Sequence, residues 1–262
     1  MNRDWDRLVE YLKSSHRILI FTGAGISTGS GIPDFRGPNG VWTRRQPVYY
    51  DDFMSGESAR VEHWNYKLES WPAFVAARPN SIHHAIVKLE AAEKVTAVLT
   101  QNIDGLHARA GSRPETLVEL HGTNLLVECQ TCGWRADPDP YFQQFRLDRR
   151  PPSCQCGGYL KPATISFGQA LDQKSLMRAS EASRRADLAI SLGSTLSVYP
   201  AASFPLAAAR RGIPYVIINR GATDHDHEKS LCLKMEGEIA EIFPSAVEAV
   251  CGSYAVDPRK SA

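Results

Sequence analysis

The stretch that most constrains this chain is a short apolar run, Arg17 to Phe21, followed at once by glycines at positions 23, 25, 29 and 31. Strand, glycine-rich turn and helix make the first unit of a nucleotide-binding βαβ fold, where backbone N–H groups approach a pyrophosphate. Glycines after a strand also serve as plain tight turns, so the block gains meaning only from its surroundings. The dehydrogenase form, G-x-G-x-x-G, is incomplete: after Gly23 and Gly25 the third glycine would fall at Thr28. No acidic residue ends a second strand about twenty residues on, where it would hold ribose hydroxyls. A dinucleotide fits this pattern, but hydride transfer does not.

Trp5, Leu8, Val9 and Leu12 recur at helical spacing and predict an opening amphipathic helix. Further apolar runs, Val95 to Leu99, Ala163 to Phe167, Leu188 to Leu192 and Tyr215 to Asn219, alternate with helical patterns. One such helix carries Ile82, Ala85, Ile86 and Leu89, and another is Ala201 to Arg211. The alternation predicts an α/β fold, a Rossmann-like parallel sheet with helices on both faces. Residues 38–78 lack a clear strand and read as a helical insertion or lid, while 122–162 hold paired cysteines and read as a zinc module. The expected division is therefore a Rossmann-like domain of 1–37, 79–121 and 163–262, and a small lobe of 38–78 and 122–162. The tail after Ala255 is expected to lack fixed structure.

Lys and Arg total 30 against 29 Asp and Glu, a balance with no field to hold the chain on nucleic acid or an anionic membrane. The N-terminus enters an amphipathic pattern without a long apolar stretch, and no run approaches the ~20 apolar residues of a membrane span. A cytoplasmic monomer is expected. In that setting Cys129-x-x-Cys132 with Cys154-x-Cys156 reads as a metal site more readily than as disulfides. Cys232 and Cys251 stand alone and are expected to be buried or inert.

Three blocks are far more specific than the glycines. Gly23-Ala24-Gly25-Ile26-Ser27 leads to Gly31-Ile32-Pro33-Asp34-Phe35-Arg36-Gly37; then come Thr100-Gln101-Asn102-Ile103-Asp104-Gly105 and His121-Gly122. Together they resemble the sirtuins, NAD-dependent protein-lysine deacylases. The likeness continues through Ser166-Phe167-Gly168, Gly193-Ser194-Thr195-Leu196 and Asn219, from about residue 15 to 245.

The resemblance implies an enzyme that consumes NAD, releasing nicotinamide, free lysine and O-acyl-ADP-ribose. It places Gly23, Ala24, Gly25, Ser27, Asp34, Phe35 and Arg36 at the cofactor, with Phe35 shielding the ribose. Gln101 would hold ribose hydroxyls, Asn102 a ribose-side water or hydroxyl, and Ile103 with Asp104 the nicotinamide pocket. Asn102 and Asp104 would both face the cavity if their segment were extended. His121 would be the general base, its ordinary pKa near 6.5 suiting it to take a ribose proton. His83, His84 and His107 read as structural. Gly193, Ser194, Asn219 and Ile239 would cradle the adenosine half.

Acylated-lysine proteins or peptides are the implied partners, lying as an added strand between Phe167-Gly168 and Ser197-Val198-Tyr199. Cys129, Cys132, Cys154 and Cys156 would hold one structural Zn2+. The second cysteine pair departs from the family's Cys-x-x-Cys by one residue, since Ser153 stands where the family has a ligand. Relatives that remove acidic acyl groups carry a Tyr and an Arg three residues apart in the helical insertion. Trp64 and Lys67 occupy those positions here: the apolar Trp64 favours acetyl, whereas Lys67 would attract an acidic chain. Two rival readings stand beside the deacetylase: an NAD hydrolase or mono-ADP-ribosyltransferase, and a zinc-bearing NAD sensor without turnover.

Overall fold

The computed structural model describes residues 3–34, 40 and 45–252. Phe35, Arg36 and the tail after Ala255 lie outside the described residues. Strands β1 (Ile18–Thr22), β2 (Val95–Thr100), β3 (Leu117–Glu119), β7 (Leu188–Leu192), β8 (Tyr215–Asn219) and β9 (Leu233–Glu236) form one six-stranded sheet. The spatial order is β3-β2-β1-β7-β8-β9 and every neighbouring pair is parallel.

Because side chains alternate along a strand, each strand feeds two cores. Ile18 and Ile20 of β1 join Val98, Ile190 and Val216 under helices α1 (Arg3–Ser14), α4 (Ser81–Ala91) and α9 (Ile239–Cys251). Leu19 and Phe21 point the other way, to Leu99, Ala189 and Ile217 beneath α7 (Gln173–Arg185) and α8 (Ser203–Ala209). Burial on both faces is why these runs are continuously apolar. Among the described residues no helix is long and apolar enough to cross a membrane.

A second, antiparallel sheet has the order β5-β4-β6, with β4 at Gly122–Cys129, β5 at Arg135–Ala136 and β6 at Leu160–Thr164. It shares one apolar cluster with α2 (Tyr50–Ser55), α3 (Glu57–Ala76) and α6 (Asp139–Asp148). The run Ala163–Phe167, expected as a strand of the parallel sheet, departs from that reading. Only Ala163 and Thr164 are in a strand, and that strand belongs to the small sheet. After Ile165 N–H donates to the His121 carbonyl at 2.8 Å, the chain turns at Ser166–Gln169, with Gly168 at φ 82°. An apolar run cannot reveal which sheet it joins; here β4 starts at once after His121 and recruits β6.

Candidate active site

The strand order reverses between β1 and β7, so their carboxyl ends open a crevice, the usual ligand position in an open α/β sheet. Two loops meet there. Gly25 N–H donates to the Gly193 carbonyl at 2.9 Å, and a Cβ on Gly25 would stand 2.9 Å from Gly193 Cα. Gly193 itself sits at φ 61°, where a Cβ would come within 2.6 Å of Ile26 N. The glycines are therefore required by the contact of the two loops as well as by the turn. A cavity of about 1020 Å³ extends from this crevice toward the small lobe.

The residues 101–104 form its floor. Gln101 Nε2 donates to Ser194 Oγ at 2.9 Å, and Asn102 Nδ2 donates to the Gly23 carbonyl at 3.2 Å and to Ser27 Oγ at 3.1 Å. Gln101, Asn102 and Ile103 line the cavity. Ser27 and Asp104 do not: both are buried behind the wall, where Ser27 Oγ donates to Asp104 Oδ2 at 2.7 Å. Asp104 Oδ1 also accepts the Leu106 N–H at 2.9 Å, at the start of α5 (Leu106–Ala110). The segment bends at Asp104 instead of running extended, and accepting the Leu106 N–H two residues on directs the aspartate away from the cavity. Burial raises the Asp104 carboxyl, and burial followed by repulsion from Asp104 pushes Glu119 up to about 7.

His121 lines the cavity just before Gly122, whose φ is 71° and whose Cβ would strike the Ala163 carbonyl oxygen. Its Nδ1 lies 3.3 Å from the Gln101 carbonyl oxygen. A carbonyl only accepts, so Nδ1 carries the proton and Nε2 keeps the lone pair, the tautomer a proton acceptor needs. His83 and His107 do structural work. His83 completes a capping box with Asn80 at the start of α4, and His107 Nε2 meets Thr22 Oγ1 at 3.0 Å in the core.

Asp34, Ala24, Asn219 and Ile239 also line the cavity, as do Phe167, Gly168, Val198 and Tyr199. Ser197 does not; its hydroxyl meets Thr195 Oγ1 at 2.8 Å and closes its own loop. The Phe167 carbonyl already accepts from Tyr50 N–H and the Val198 carbonyl from Ala202 N–H. An added strand would use other backbone groups of these two loops. Asn80 is a wall residue that sequence reasoning missed: its Nδ2 donates to the Ile26 carbonyl at 2.8 Å and Ser30 Oγ at 2.9 Å, bracing the glycine loop. The signal was an Asn cap directly before the apolar helix pattern.

Trp64 is not at the cavity. Fully buried, it packs edge-to-face with Phe142 and tilted against Phe145, and donates its indole N–H to the Leu160 carbonyl at 3.0 Å. Trp64, Leu68 and Trp71 are spaced as one helical stripe, which α3 turns into the small-lobe core. The adjoining face presents His63, Tyr66 and Lys67 to the cavity. Lys67 Nζ donates to Asn124 Oδ1 and Thr164 Oγ1, both at 3.2 Å. Burial, helped by nearby Lys161, lowers Lys67 to about 7, and burial holds His63 well below its ordinary value.

The four cysteine sulfurs Cys129, Cys132, Cys154 and Cys156 lie within 4.8 Å of one another, with close pairs at 3.5 and 3.8 Å. A tetrahedral zinc with Zn–S bonds of about 2.3 Å has sulfur–sulfur edges of about 3.8 Å, so the set fits the ion. The irregular Cys-x-Cys reaches it through a tight turn: Cys154 N–H donates to the Gly158 carbonyl and Gly157 N–H to the Cys154 carbonyl. Backbone N–H groups of Cys132 and Thr131 aimed at its sulfur lower the Cys129 thiol to about 6. Of the two lone cysteines, expected to be buried or inert, Cys232 is exposed and Cys251 half-buried.

The family model for the Sir2 family matches residues 23–200. The chain belongs to the Sir2 family. Among its Sir2 relatives, "NAD-dependent protein deacetylase 1" of Bradyrhizobium diazoefficiens is 43% identical, covering 87% of this chain and 90% of that protein. The "NAD-dependent protein deacetylase" of Rhodopseudomonas palustris is 41% identical over 87% of this chain and 91% of its own length. A solved Sir2 complex with a p53 peptide and NAD+ superimposes with a TM-score of 0.84 at 36% identity, covering 95% of this chain and 98% of that one. A histidine-to-alanine Sir2 variant, solved with deacetylated p53 peptide and 3′-O-acetyl-ADP-ribose, gives 0.84 at 35% identity over 94% and 98%.

Proposed function

We propose that this Sir2 chain is an NAD-dependent protein-lysine deacetylase yielding nicotinamide, O-acetyl-ADP-ribose and free lysine. The observation that carries the reading is His121 at the wall of the glycine crevice, its Nδ1 committed to the Gln101 carbonyl and its Nε2 left as the basic nitrogen. NAD supplies the ribose that loses nicotinamide and accepts the acyl group. The glycine loops at 23–25 and 193–194 receive the pyrophosphate and adenosine, with Asn219 and Ile239 at the far end. Gln101, braced by Ser194, holds the ribose hydroxyls beside His121, and Nε2 takes the proton of the attacking 2′-hydroxyl. Asn102, held by Gly23 and Ser27, orients a water or hydroxyl at the ribose. Ile103 faces nicotinamide, while Asp104 supports Asn102 from behind through Ser27.

The acyl-lysine peptide runs along Phe167, Gly168, Val198 and Tyr199, and Lys67 with His63 and Tyr66 bounds the acyl end. The four thiolates fasten the small lobe through zinc and take no part in bond-making. The test is incubation with acetyl-, propionyl- and succinyl-lysine peptides, with and without NAD, read by mass spectrometry. Acetyl removal only with NAD, with O-acetyl-ADP-ribose formed, is expected. NAD loss with no deacylated peptide would replace this reading with an NAD hydrolase or ADP-ribosyltransferase, and NAD binding without turnover with a sensor.

A further inference from the structure

A file of four polar side chains runs from the cavity rim into the core of the sheet. The Tyr199 hydroxyl meets His225 Nε2 at 3.3 Å, His225 Nδ1 meets the Tyr215 hydroxyl at 2.9 Å, and that hydroxyl meets Ser191 Oγ at 3.0 Å. His225, Tyr215 and Ser191 are buried, whereas Tyr199 is 55% exposed and lines the cavity. Ser191 and Tyr215 belong to adjacent strands β7 and β8, so the inner end of the file is fixed by the sheet. Burial keeps His225 below its ordinary pKa, and the neutral ring has one N–H and one lone pair, one for each tyrosine.

The loop bearing Tyr199 needs such a hold. Leu196, fully buried, sits at φ 58°, a left-handed conformation unfavourable for a non-glycine residue. The turn that carries His225 grips the same loop a second time, since Asp224 N–H donates to the Thr195 carbonyl at 3.0 Å. That turn is itself stiffened: Asp226 accepts from Thr223 N–H and Oγ1 and pairs with Lys234.

We propose that His225 is a positioning residue for the acyl-peptide, fixing the Tyr199 ring at the rim so that the peptide meets a groove already formed. The inference rests on the deacetylase reading. Its test is steady-state kinetics on the full chain for Tyr199→Phe, His225→Leu and the double variant, varying acetyl-lysine peptide and NAD separately. Losing one such hydrogen bond should raise the peptide KM about three- to tenfold, leaving kcat and the KM for NAD within about twofold. The double variant should be no worse than the worse single one, because both cut the same contact. Should His225→Leu fail to fold, Tyr215→Phe takes its place, while Tyr199→Phe removes a single hydroxyl from a largely exposed residue. An unchanged peptide KM in Tyr199→Phe, or additive losses in the double variant, overturns the inference alone. A wild-type chain without NAD-dependent deacetylation overturns the activity reading and the inference together.

Discussion

Lys67→Met should stabilise the protein near pH 7 and destabilise it near pH 10. Lys67 is 4% exposed, and its ammonium donates to two neutral oxygens, Asn124 Oδ1 and Thr164 Oγ1. Burial lowers its ammonium from 10.5 to about 7. Below pH 7 both folded and unfolded chains hold the proton, and the folded state bears the whole cost of the buried charge. Between pH 7 and 10.5 the unfolded chain keeps a proton that the folded chain has released, so wild-type stability rises with pH. The slope is at most about 1.4 kcal/mol per pH unit, roughly 5 kcal/mol across the window. Methionine fills similar volume without titrating, but leaves Asn124 Oδ1 without its donor, at a cost of about 1–3 kcal/mol. Asn124 Nδ2 and His63 Nε2 already lack hydrogen-bond partners among the described residues and lose none, while His63, held down by burial and then by Lys67, is relieved of that repulsion. The variant should thus be more stable by roughly 2–3 kcal/mol at pH 7 and less stable by about 1–2 kcal/mol near pH 10. Urea unfolding of both proteins at pH 6.5, 7.5, 8.5 and 9.5 (rough sampling points across the window) measures the difference directly. A difference that stays constant over that range would refute the idea that burial of a titrating amine governs this site.

His121→Ala should lower kcat for deacetylation by roughly 10²- to 10⁴-fold while NAD binding persists, read by calorimetric titration beside the turnover assay. Cys154→Ser should reduce bound zinc well below about one ion per chain and lower the melting temperature, and chelation of the wild type should reproduce that loss; full zinc in the variant would remove Cys154 from the ligand set. Trp64→Ala should cost about 3–5 kcal/mol of stability by emptying the small-lobe core between Phe142 and Phe145, whereas Trp64→Phe should keep the acyl preference unchanged in the peptide panel.

The sequence by itself determined the parallel sheet, because runs such as Leu188–Leu192 buried on both faces must be apolar throughout, and it determined the crevice, because only glycine tolerates the approach of the loops at 25 and 193. His121, Gln101 and Asn102 were legible as motif residues, and the structure gathers them within one wall. The four cysteines were legible as well, although only the turn at 154–158 explains how an irregular spacing still converges. Facing was decided by tertiary structure. Trp64 and Lys67 are three residues apart on one helix, yet one is core and the other cavity wall, because α3 lies between two environments and its rotation is set by what packs against it. Asp104 turns away because it accepts the Leu106 N–H at a helix start that no local pattern marked, and Ala163 and Thr164 join the small sheet because β4 runs beside them. The file from Tyr199 to Ser191 spans four separate segments of chain, so its residues acquire their relation only when β7 and β8 pair and the turn at His225 closes over them.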